Sequence, residues 1–549
     1  MKPVRNPTAG SPSVAAPSNL ESQERLLPFL LNPRSYPHRP RTVRLIQTHS
    51  AFVFVAPPYV YKVKKAVNFG FLDFSTLARR HRFCEREVRL NQRLTDDIYL
   101  GVIPICATPT GFRWGDGGPV IEYAIRMRQL GASGFLDHRI RTHAATGRDL
   151  DRVVERLARF YETQTPSAAV AGAGRISRLR TATRENFRQT RGFVGNTLSP
   201  ATYRAIREFT NTCYATRADL FAARVSGGRI RDCHGDLHLE HIHLTPRALN
   251  IYDCIEFNER FRRVDVANDL AFLAMDLDFH GRPDFARRVV RRMAERLDDP
   301  GMVRLMDFYK CYRAYVRGKV ESLHSVAHAA GESERRASAR RAERYFRLAL
   351  QYAVAGSHPM IVAVMGPPGS GKSTIAQALA RELGWDVVSS DRIRKEQAGV
   401  PLHVRGDAAA RQRLYSATRT QQTYHGLCTA AVAAATEGRS LIVDATFGQA
   451  EHRAALRQAC ARAGATCCFV ELRAGLGVTR ERLRRREGKP GEISDARWED
   501  FADLIRRYNP PDEIPDGDRL RIHGNADPDT AVSKALSLLA RRQATAPTG

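Results

Sequence analysis

Apolar and polar positions follow two contrasting patterns along this chain. From residue 360 onward, short apolar runs of strand length are separated by longer segments with helical spacing. Strands are predicted over Ile361–Met365, Trp385–Ser389, Ser440–Asp444, Thr466–Leu472 and Arg519–Ile522. Because strands that alternate with helices pair in parallel, this region is predicted to form an α/β domain with helices on both faces of the sheet.

The first part of the chain is strand-rich and then helix-rich. The predicted elements are an antiparallel meander over Thr42–Lys65 with a turn at Pro57-Pro58, a helix over Phe74–Leu94, strands over Tyr99–Pro104 and Val120–Met127, and helical blocks over 133–225 and 264–355 separated by loops and strands at Ile230–Glu256. This order predicts an α+β domain.

Composition marks the boundaries between these regions. Residues 1–40 are rich in Pro and lack periodicity, so they are predicted to be a flexible leader. The segment 356–359, Gly-Ser-His-Pro, is predicted to link a domain over 41–355 to a domain over 360–545.

The charge balance narrows the partners. Lysine and arginine number 86 against 58 acidic residues, a formal net charge of +28. This excess favours phosphorylated ligands, but its even spread makes nucleic acid the weaker interpretation. The ten cysteines have no regular spacing, and no run of apolar residues reaches membrane-spanning length. A cytoplasmic protein with reduced thiols and no membrane partner is therefore expected.

A phosphate-binding motif follows the strand that ends at Met365. The residues G-P-P-G-S-G-K-S fit the pattern G-x-x-x-x-G-K-[ST] between a strand and a helix. Glycines let the main chain wrap an anion, and N–H groups at the helix start point toward it. We therefore predict a nucleoside triphosphate there, with Lys372 at the β- and γ-phosphates and Ser373 on Mg²⁺. The predicted binding residues are Gly366, Pro367, Pro368, Gly369, Ser370, Gly371, Lys372, Ser373 and Thr374.

Three further signals belong to the same domain. Asp444 ends an apolar strand, where a carboxylate can hold magnesium or its water shell. Asp391 follows the second strand and is a candidate base for an attacking hydroxyl, or else part of a helix cap. The basic helix Arg480–Lys489 is a candidate lid with Arg482 and Arg485 over the transferring phosphoryl group, or else a solvated helix face.

Over residues 360–545 these features resemble the small P-loop kinases of the gluconate kinase, polynucleotide kinase and zeta-toxin type. The resemblance implies phosphoryl transfer that uses ATP and Mg²⁺, with Lys372 and Asp391 as catalytic residues. It also implies an acceptor that is a small hydroxylated molecule or a nucleic-acid end.

A second constellation lies in the first domain. It begins with the run His234-Gly-Asp236-Leu-His238-Leu-Glu-His241 and continues with Asp253 at the end of a short strand. Upstream, Lys62 lies on a strand and Glu87 lies on the helix that follows it. In this order the residues resemble the aminoglycoside phosphotransferase and choline kinase branch of the protein-kinase-like fold, over about residues 42–350.

This second resemblance implies a role for each residue. Lys62, or Lys64 on the same strand face, would position the α- and β-phosphates and be held by Glu87. Asp236 would be the catalytic base and Asp253 a magnesium ligand. The same resemblance implies that Asp265 steadies the catalytic loop.

One position departs from the family pattern. His241 stands where the family has a metal-binding asparagine, and imidazole suits transition metals better than magnesium. A separate hypothesis groups His234, His238, His241 and His243 into a zinc or manganese cluster. A third leaves these histidines as ordinary residues around a turn.

The order of the two domains resembles bacterial proteins described as fused aminoglycoside-phosphotransferase-like and ATP-binding proteins. The sequence therefore predicts a bifunctional phosphotransferase with two nucleotide sites and a small hydroxylated substrate. One alternative is a regulatory module with an inactive N-terminal kinase domain and a C-terminal ATPase. A second alternative is a nucleic-acid end kinase, suggested by the positive charge.

Overall fold

A computed structural model describes residues 23–327, 331–404, 407–487, 493–494, 496–499, 501–506 and 508–546. The chain forms two compact units. Unit 1 comprises Met1–Ala173 and Gly228–Asp299, and unit 2 comprises Gly174–Gly227 and Pro300–Gly549. The segment Gly174–Gly227, which belongs to unit 2, thus separates the two segments of unit 1 along the sequence.

Unit 1 is built on an antiparallel sheet. Within the described residues its strands are β1 (Arg44–Gln47), β2 (Ala51–Ala56), β3 (Tyr59–Lys64), β4 (Tyr99–Thr108), β5 (Gly111–Trp114) and β6 (Val120–Arg128). They lie in the order β1-β2-β3-β6-β4-β5. The predicted meander and its turn at Pro57-Pro58 are confirmed. Strand β5 was not predicted, because it has only four residues and lies between two turns.

Helices and short strands complete unit 1. They are α1 (Leu27–Leu31), α2 (Leu77–Asn91), α3 (Leu136–Arg141), α4 (Gly147–Thr163), α5 (Ala168–Ala171), β7 (Ile230–Asp232), β8 (Ile242–Leu244), β9 (Leu249–Ile251), α9 (Glu259–Arg262), β10 (Arg263–Asp265), α10 (Val266–Phe279) and α11 (Pro283–Arg296). Helix α2 packs against β4 and β6. Its start is fixed by Thr76, whose side chain accepts a hydrogen bond from the Arg79 N–H.

The predicted flexible leader is wrong for its described part, residues 23–40. Leu26, Leu30 and Tyr36 are buried in the core that lines one face of the antiparallel sheet. The Gln23 amide donates to the Lys64 carbonyl at 2.9 Å. Proline-rich composition suggested disorder, but a few apolar anchors are enough to bury the segment. Residues 1–22 lie outside the described residues.

Unit 2 contains a parallel sheet. Its strands are β11 (Met360–Met365), β12 (Asp386–Ser389), β13 (Leu441–Asp444), β14 (Thr466–Arg473) and β15 (Arg519–His523), in the order β12-β13-β11-β14-β15. Each neighbouring pair is parallel. Every residue of β11 is buried, as expected for a central strand covered on both faces. The predicted parallel sheet is confirmed.

Helices surround this sheet. Within the described part of unit 2 they are α6 (Ile176–Thr190), α7 (Pro200–Thr216), α8 (Ala218–Ser226), α12 (Pro300–Ser325), α13 (Glu332–Ala355), α14 (Lys372–Leu383), α15 (Ser390–Ala398), α16 (Ala408–Leu414), α17 (Ala417–Thr436), α18 (Ala450–Arg462), α19 (Leu476–Glu487), α20 (Phe501–Arg506) and α21 (Pro528–Thr545). None of the helices in the ranges that the structure describes is long and apolar enough to cross a bilayer.

The compact units differ from the contiguous domains 41–355 and 360–545 predicted from the sequence. Helix α7 packs on α21, near the end of the chain. After α7, Arg217 donates hydrogen bonds to the carbonyls of Gln543 and Ala544 at 3.1 Å each. The predicted linker 356–359 also lies inside unit 2, where Lys310 Nζ is 2.8 Å from Ser357 Oγ.

Candidate functional site

The phosphate-binding motif forms a tight loop between β11 and α14. Gly366, Gly369 and Gly371 have φ angles of 140°, 75° and 100°, which residues other than glycine rarely adopt. A Cβ at Gly366 would lie 2.3 Å from the Leu472 carbonyl oxygen. The N–H of Ile375 bonds to the Gly371 carbonyl at 3.1 Å, so the leading N–H groups of α14 point out of its end. The loop and helix have the geometry of an anion site.

Two side chains of the loop are poised in different ways. Lys372 Nζ folds back and donates to the Pro367 carbonyl at 3.0 Å. Ser370 is 1% exposed, and its Oγ has no hydrogen-bond partner among the described residues. A buried hydroxyl without a partner is costly and indicates a missing polar ligand. The loop therefore fits a phosphate-bearing nucleotide.

Arg482 supports the loop from α19. Its guanidinium donates to the Ser370 carbonyl at 3.0 Å and to the Gly524 carbonyl at 2.7 Å. Arg485, one turn later, is exposed. Neither lies on the wall of the cavity beside the loop, as far as the described residues define it. The lid role predicted for both remains a prediction, and Lys489 at the end of the predicted lid lies outside the described residues.

The loop opens onto a cavity of about 1580 Å³. Lys372 and Ser373 lie on its wall together with Asp391 and Asp444, so the structure brings these four predicted residues of unit 2 together. Asp444 ends β13 and is 6% exposed. Asp391 lies in the first turn of α15, whose cap is the neighbouring Ser389. The cap alternative for Asp391 is thereby assigned to Ser389.

Another part of the cavity wall is basic and aromatic. It includes Arg394, His425, His452 and Tyr424. The rings of Tyr424 and His452 stack at 3.7 Å with an interplanar angle of 7°, and burial lowers the pKa of His452. These histidines could not be predicted from the sequence, because α17 and α18 form a common wall only after folding.

In unit 1 the predicted lysine and glutamate are paired. Lys62 Nζ lies 2.9 Å from Glu87 Oε1 and 2.7 Å from Asp253 Oδ1. Lys64 Nζ lies 2.6 Å from Glu87 Oε2 and also pairs with Glu256. Both lysines of the strand therefore share Glu87, but Lys62 alone of the two bonds to Asp253 among the described residues.

The charges of this group shift its pKa values. Burial works against the charge on Lys62, but Asp253 and Glu87 outweigh it and raise the pKa of the amine well above its usual value. Burial also opposes ionisation of Asp253, and the charge of Lys62 outweighs it, so the pKa of that carboxyl lies well below its usual range. Lysine and aspartate are thus both charged.

Asp269 holds the His234–Asp236 turn. Its Oδ2 accepts the His234 N–H at 3.0 Å and its Oδ1 accepts the Gly235 N–H at 2.8 Å. The resemblance assigned this role to Asp265, but Asp265 instead caps α10 by accepting the Ala267 N–H at 2.9 Å. The residue that holds the turn is therefore Asp269, which lies four positions after Asp265. The sequence signal for Asp269 was the second aspartate of D-V-A-N-D.

Asp236 lies beside two of the four histidines. His238 Nε2 is 3.4 Å and His241 Nδ1 is 3.6 Å from Asp236 Oδ2. His241 Nε2 is 3.5 Å from Asp253 Oδ2. Burial and then the neighbouring His238 lower the pKa of His241 to about 4. Asp236 and Asp253 therefore both lie next to His241.

The four-histidine cluster is wrong. His234 Nε2 donates to the Tyr252 carbonyl at 2.9 Å, because its Nδ1 accepts the Asp236 N–H. His243 Nε2 lies 3.0 Å from the Gly131 carbonyl oxygen. Among the described residues, the potential metal ligands grouped with Asp236 are His238 and His241, and the group includes neither His234 nor His243.

Sequence comparisons agree with the geometry of unit 2. The family described as AAA domain matches residues 361–511, which contain the loop, Asp391 and Asp444. Together with the parallel sheet, this match defines a P-loop kinase-type domain in unit 2.

The chain as a whole belongs to the family of the uncharacterized protein Rv2004c of Mycobacterium tuberculosis (strain ATCC 25618 / H37Rv). The two are 31% identical over 461 residues, which cover 84% of this chain and 89% of the relative. The uncharacterized protein Mb2027c of Mycobacterium bovis matches to the same extent. The aligned length exceeds either compact unit, so the relationship includes parts of both. It gives a family without giving an activity.

Solved structures similar to this chain include a gluconokinase from Sinorhizobium meliloti 1021, which is 21% identical and covers 33% of this chain and 93% of its own, with a TM-score of 0.25. The Mycobacterium tuberculosis APS kinase CysC in complex with AMPPNP and APS is 25% identical and covers 33% of this chain and 98% of its own, with a TM-score of 0.25. Scores this low carry no argument about this chain.

Proposed function

We propose that unit 2 is an ATP-dependent phosphotransferase that transfers the γ-phosphoryl group to a hydroxyl of a small molecule. The observation that carries the proposal is the single cavity onto which Lys372, Ser373, Asp391 and Asp444 open. It joins a phosphate-binding loop to a carboxylate that can act as a base. Phosphoryl transfer depends mainly on such positioning and on charge neutralisation.

Each residue has a chemical task in this proposal. When bound, ATP and Mg²⁺ supply the phosphoryl group and neutralise its charge. Lys372 and the loop N–H groups bind the phosphates, and Ser373 and Asp444 are the groups that would hold the metal. Asp391 accepts the proton of the acceptor hydroxyl as its oxygen attacks phosphorus in line.

The cavity supports an acceptor with an anionic group. Its volume of about 1580 Å³ exceeds the range of roughly 300–1,000 Å³ that is common for one small-molecule site, so it has room for a nucleotide and a second substrate. Arg394, His425 and His452 lie on the wall of the same cavity as the loop residues. Guanidinium and imidazole groups favour carboxylate or phosphate. The acceptor class is therefore a hydroxylated acid or a phosphorylated polyol.

Acceptor-dependent ADP formation by the full chain tests this function. A panel of hydroxylated acids, phosphorylated sugars and a 5′-hydroxyl oligonucleotide includes the nucleic-acid alternative. The Asp391→Asn variant should lose about 10²–10⁴-fold in acceptor-dependent turnover while its affinity for ATP is unchanged. Glu396→Gln is the matched control, because Glu396 is exposed on the same helix and lies off the described cavity wall. Turnover that no acceptor increases would refute the proposal.

Unit 1 is proposed as a second phosphotransferase site of the aminoglycoside phosphotransferase-like kind. The support is the grouping of Lys62 on β3 with Glu87 and Asp253, and of Asp253 with Asp236 through His241. Lys62 would position the α- and β-phosphates, Asp253 would hold magnesium, and Asp236 would take the proton of the acceptor hydroxyl.

One observation favours a regulatory alternative for unit 1. Lys62 bonds directly to Asp253 at 2.7 Å, so the lysine must give up this partner before the carboxylate can hold a metal. In the full chain with Lys372→Ala, nucleotide binding at unit 2 is expected to be lost, so the remaining ATP binding reports on the site in unit 1. ATP binding by this variant without acceptor-dependent turnover would favour the regulatory module with an inactive kinase domain.

A further inference from the structure

The turn that carries Asp236 brings metal-binding atoms together. One ligand atom each from Asp236, His238 and His241 lies within 4.8 Å of the other two. His238 is buried and the other two are half-buried, so the group is screened from bulk water yet reachable. Two imidazoles and a carboxylate form a ligand set that magnesium does not prefer.

The tautomer of His241 leaves its outer nitrogen facing a carboxylate. His241 Nδ1 lies 2.9 Å from the Asp236 carbonyl oxygen. A carbonyl oxygen only accepts hydrogen bonds, so Nδ1 is the donor. In the neutral ring, Nε2 then presents a lone pair, and it faces Asp253 Oδ2 at 3.5 Å. Metal-bound histidines are commonly oriented in this way, with the second ring nitrogen bonded to a main-chain carbonyl.

The distances between these side-chain atoms are closer to the distance between two ligands of one small cation than to a hydrogen-bond length. His238 Nε2 to Asp236 Oδ2 is 3.4 Å, and His241 Nε2 to Asp253 Oδ2 is 3.5 Å. Good hydrogen bonds of this type are roughly 2.7–3.2 Å. Two ligands about 2.1 Å from a tetrahedral ion lie about 3.4 Å apart. Each of these two pairs thus already has the spacing of two ligands of one ion, and the wider group lies within 4.8 Å.

We propose that Asp236, His238 and His241 bind a divalent first-row transition metal ion, with Asp253 as a further ligand. The ion is of the manganese-to-zinc class and is preferred over magnesium because two of the ligands are imidazoles. The inference rests on the proposed function of unit 1 only for what the metal does there. Metal binding itself is a separate property of the chain.

Metal binding by the chelator-treated full chain tests the inference. Mn²⁺ and Zn²⁺ are titrated in a large molar excess of Mg²⁺, with bound Mn²⁺ followed by electron paramagnetic resonance and Zn²⁺ by calorimetry. One ion per chain should bind despite the magnesium. The Lys372→Ala variant should bind it equally, because the phosphate-binding loop is not part of the site.

Matched variants assign the site. His241→Asn should weaken transition-metal affinity at least about tenfold, while His243→Asn should not, since His243 lies outside the group of ligand atoms around Asp236. Thermal unfolding checks that both variants are folded, and Asp236→Asn serves as a second ligand variant if His241→Asn is not. Affinity for Mn²⁺ and Zn²⁺ no higher than for Mg²⁺, or unchanged by the ligand variants, would overturn the inference. Metal binding without phosphoryl transfer would leave it standing and refute the proposed function of unit 1.

Discussion

The ammonium group of Lys62 lies 2.7 Å from the carboxylate of Asp253, across 191 residues of sequence. The same ammonium group lies 2.9 Å from Glu87, so one strand lysine joins the sheet, the helix behind it and the loop after β9. Lys64, two residues later, is more deeply buried and bonds to Glu87 and Glu256. The two lysines therefore have different positions. Lys64 pairs with carboxylates in the interior, and Lys62 lies beside Asp253 at the candidate site of unit 1.

Substitution of these two lysines separates structure from binding. Lys64→Ala leaves the buried Glu256 without its lysine partner and Glu87 with Lys62 alone, and it should lower the free energy of unfolding by about 3–5 kcal/mol. Lys62→Ala should cost less, about 1–3 kcal/mol, because Glu87 keeps Lys64. Urea unfolding of the full chain measures both. Lys62→Arg is the control, since it keeps the charge beside Asp253. An equal cost for the two alanine variants would contradict this division.

Removal of the Asp269 carboxylate should disorder the His234–Asp236 turn. Asp269→Asn keeps the shape but replaces one acceptor oxygen by a donor, so one of the two main-chain N–H groups loses its partner. The expected loss is about 1–3 kcal/mol of unfolding free energy, together with weaker metal binding at Asp236. Amide hydrogen exchange at His234 and Gly235 measures the loosening directly. Exchange as slow as in the unsubstituted chain would refute the role of Asp269.

His241 should make unit 1 less stable in weak acid. In the unfolded chain the ring takes up a proton near its ordinary pKa of about 6.5, whereas burial lowers the pKa of the folded group to about 4. Between these values the folded state binds fewer protons, so its free energy of unfolding falls as the pH is lowered from 6.5 toward 4. The full effect is about 3 kcal/mol. Unfolding of the metal-free chain across this range measures it, and His241→Gln should flatten the slope.

Arg482 should matter for nucleotide affinity without reaching the cavity. Its guanidinium bonds to the carbonyls of Ser370 and Gly524, so Arg482→Ala frees the loop that must be ordered around the phosphates. Loss of about 1.5 kcal/mol corresponds to roughly tenfold weaker ATP binding. Arg484→Ala, at an exposed position of the same helix, is the control and should bind normally. Equal affinities for both variants would show that Arg482 does not support the loop.

The site in unit 2 was largely predictable because its signals are local. A strand, a glycine-rich turn and a helix start follow one another within the segment around Gly366–Thr374, and Asp444 ends the neighbouring strand. Parallel pairing then brings the strand ends together at one edge of the sheet. The basic wall with His452 was not predictable, since it depends on how two distant helices pack.

The site in unit 1 shows the same limit. The pairing of Lys62 with Glu87 follows from a strand and the next helix, and the structure contains it. The choice between Asp265 and Asp269 depended on where α10 begins, which sequence spacing does not fix to within one turn. The packing of α7 against α21 was also hidden, because helices separated by more than three hundred residues leave no periodic signal of their contact.

Nucleotide binding at the loop of unit 2 underlies the proposed phosphotransferase. Calorimetric titration of the full chain with Mg²⁺ and a non-hydrolysable ATP analogue measures this binding most directly. Lys372→Ala removes the ammonium group that is proposed to contact the phosphates, so the variant is predicted to lose one binding site per chain, while the conservative exposed substitution Glu396→Gln loses none. Identical stoichiometry and affinity for Lys372→Ala and the unsubstituted chain would contradict the account.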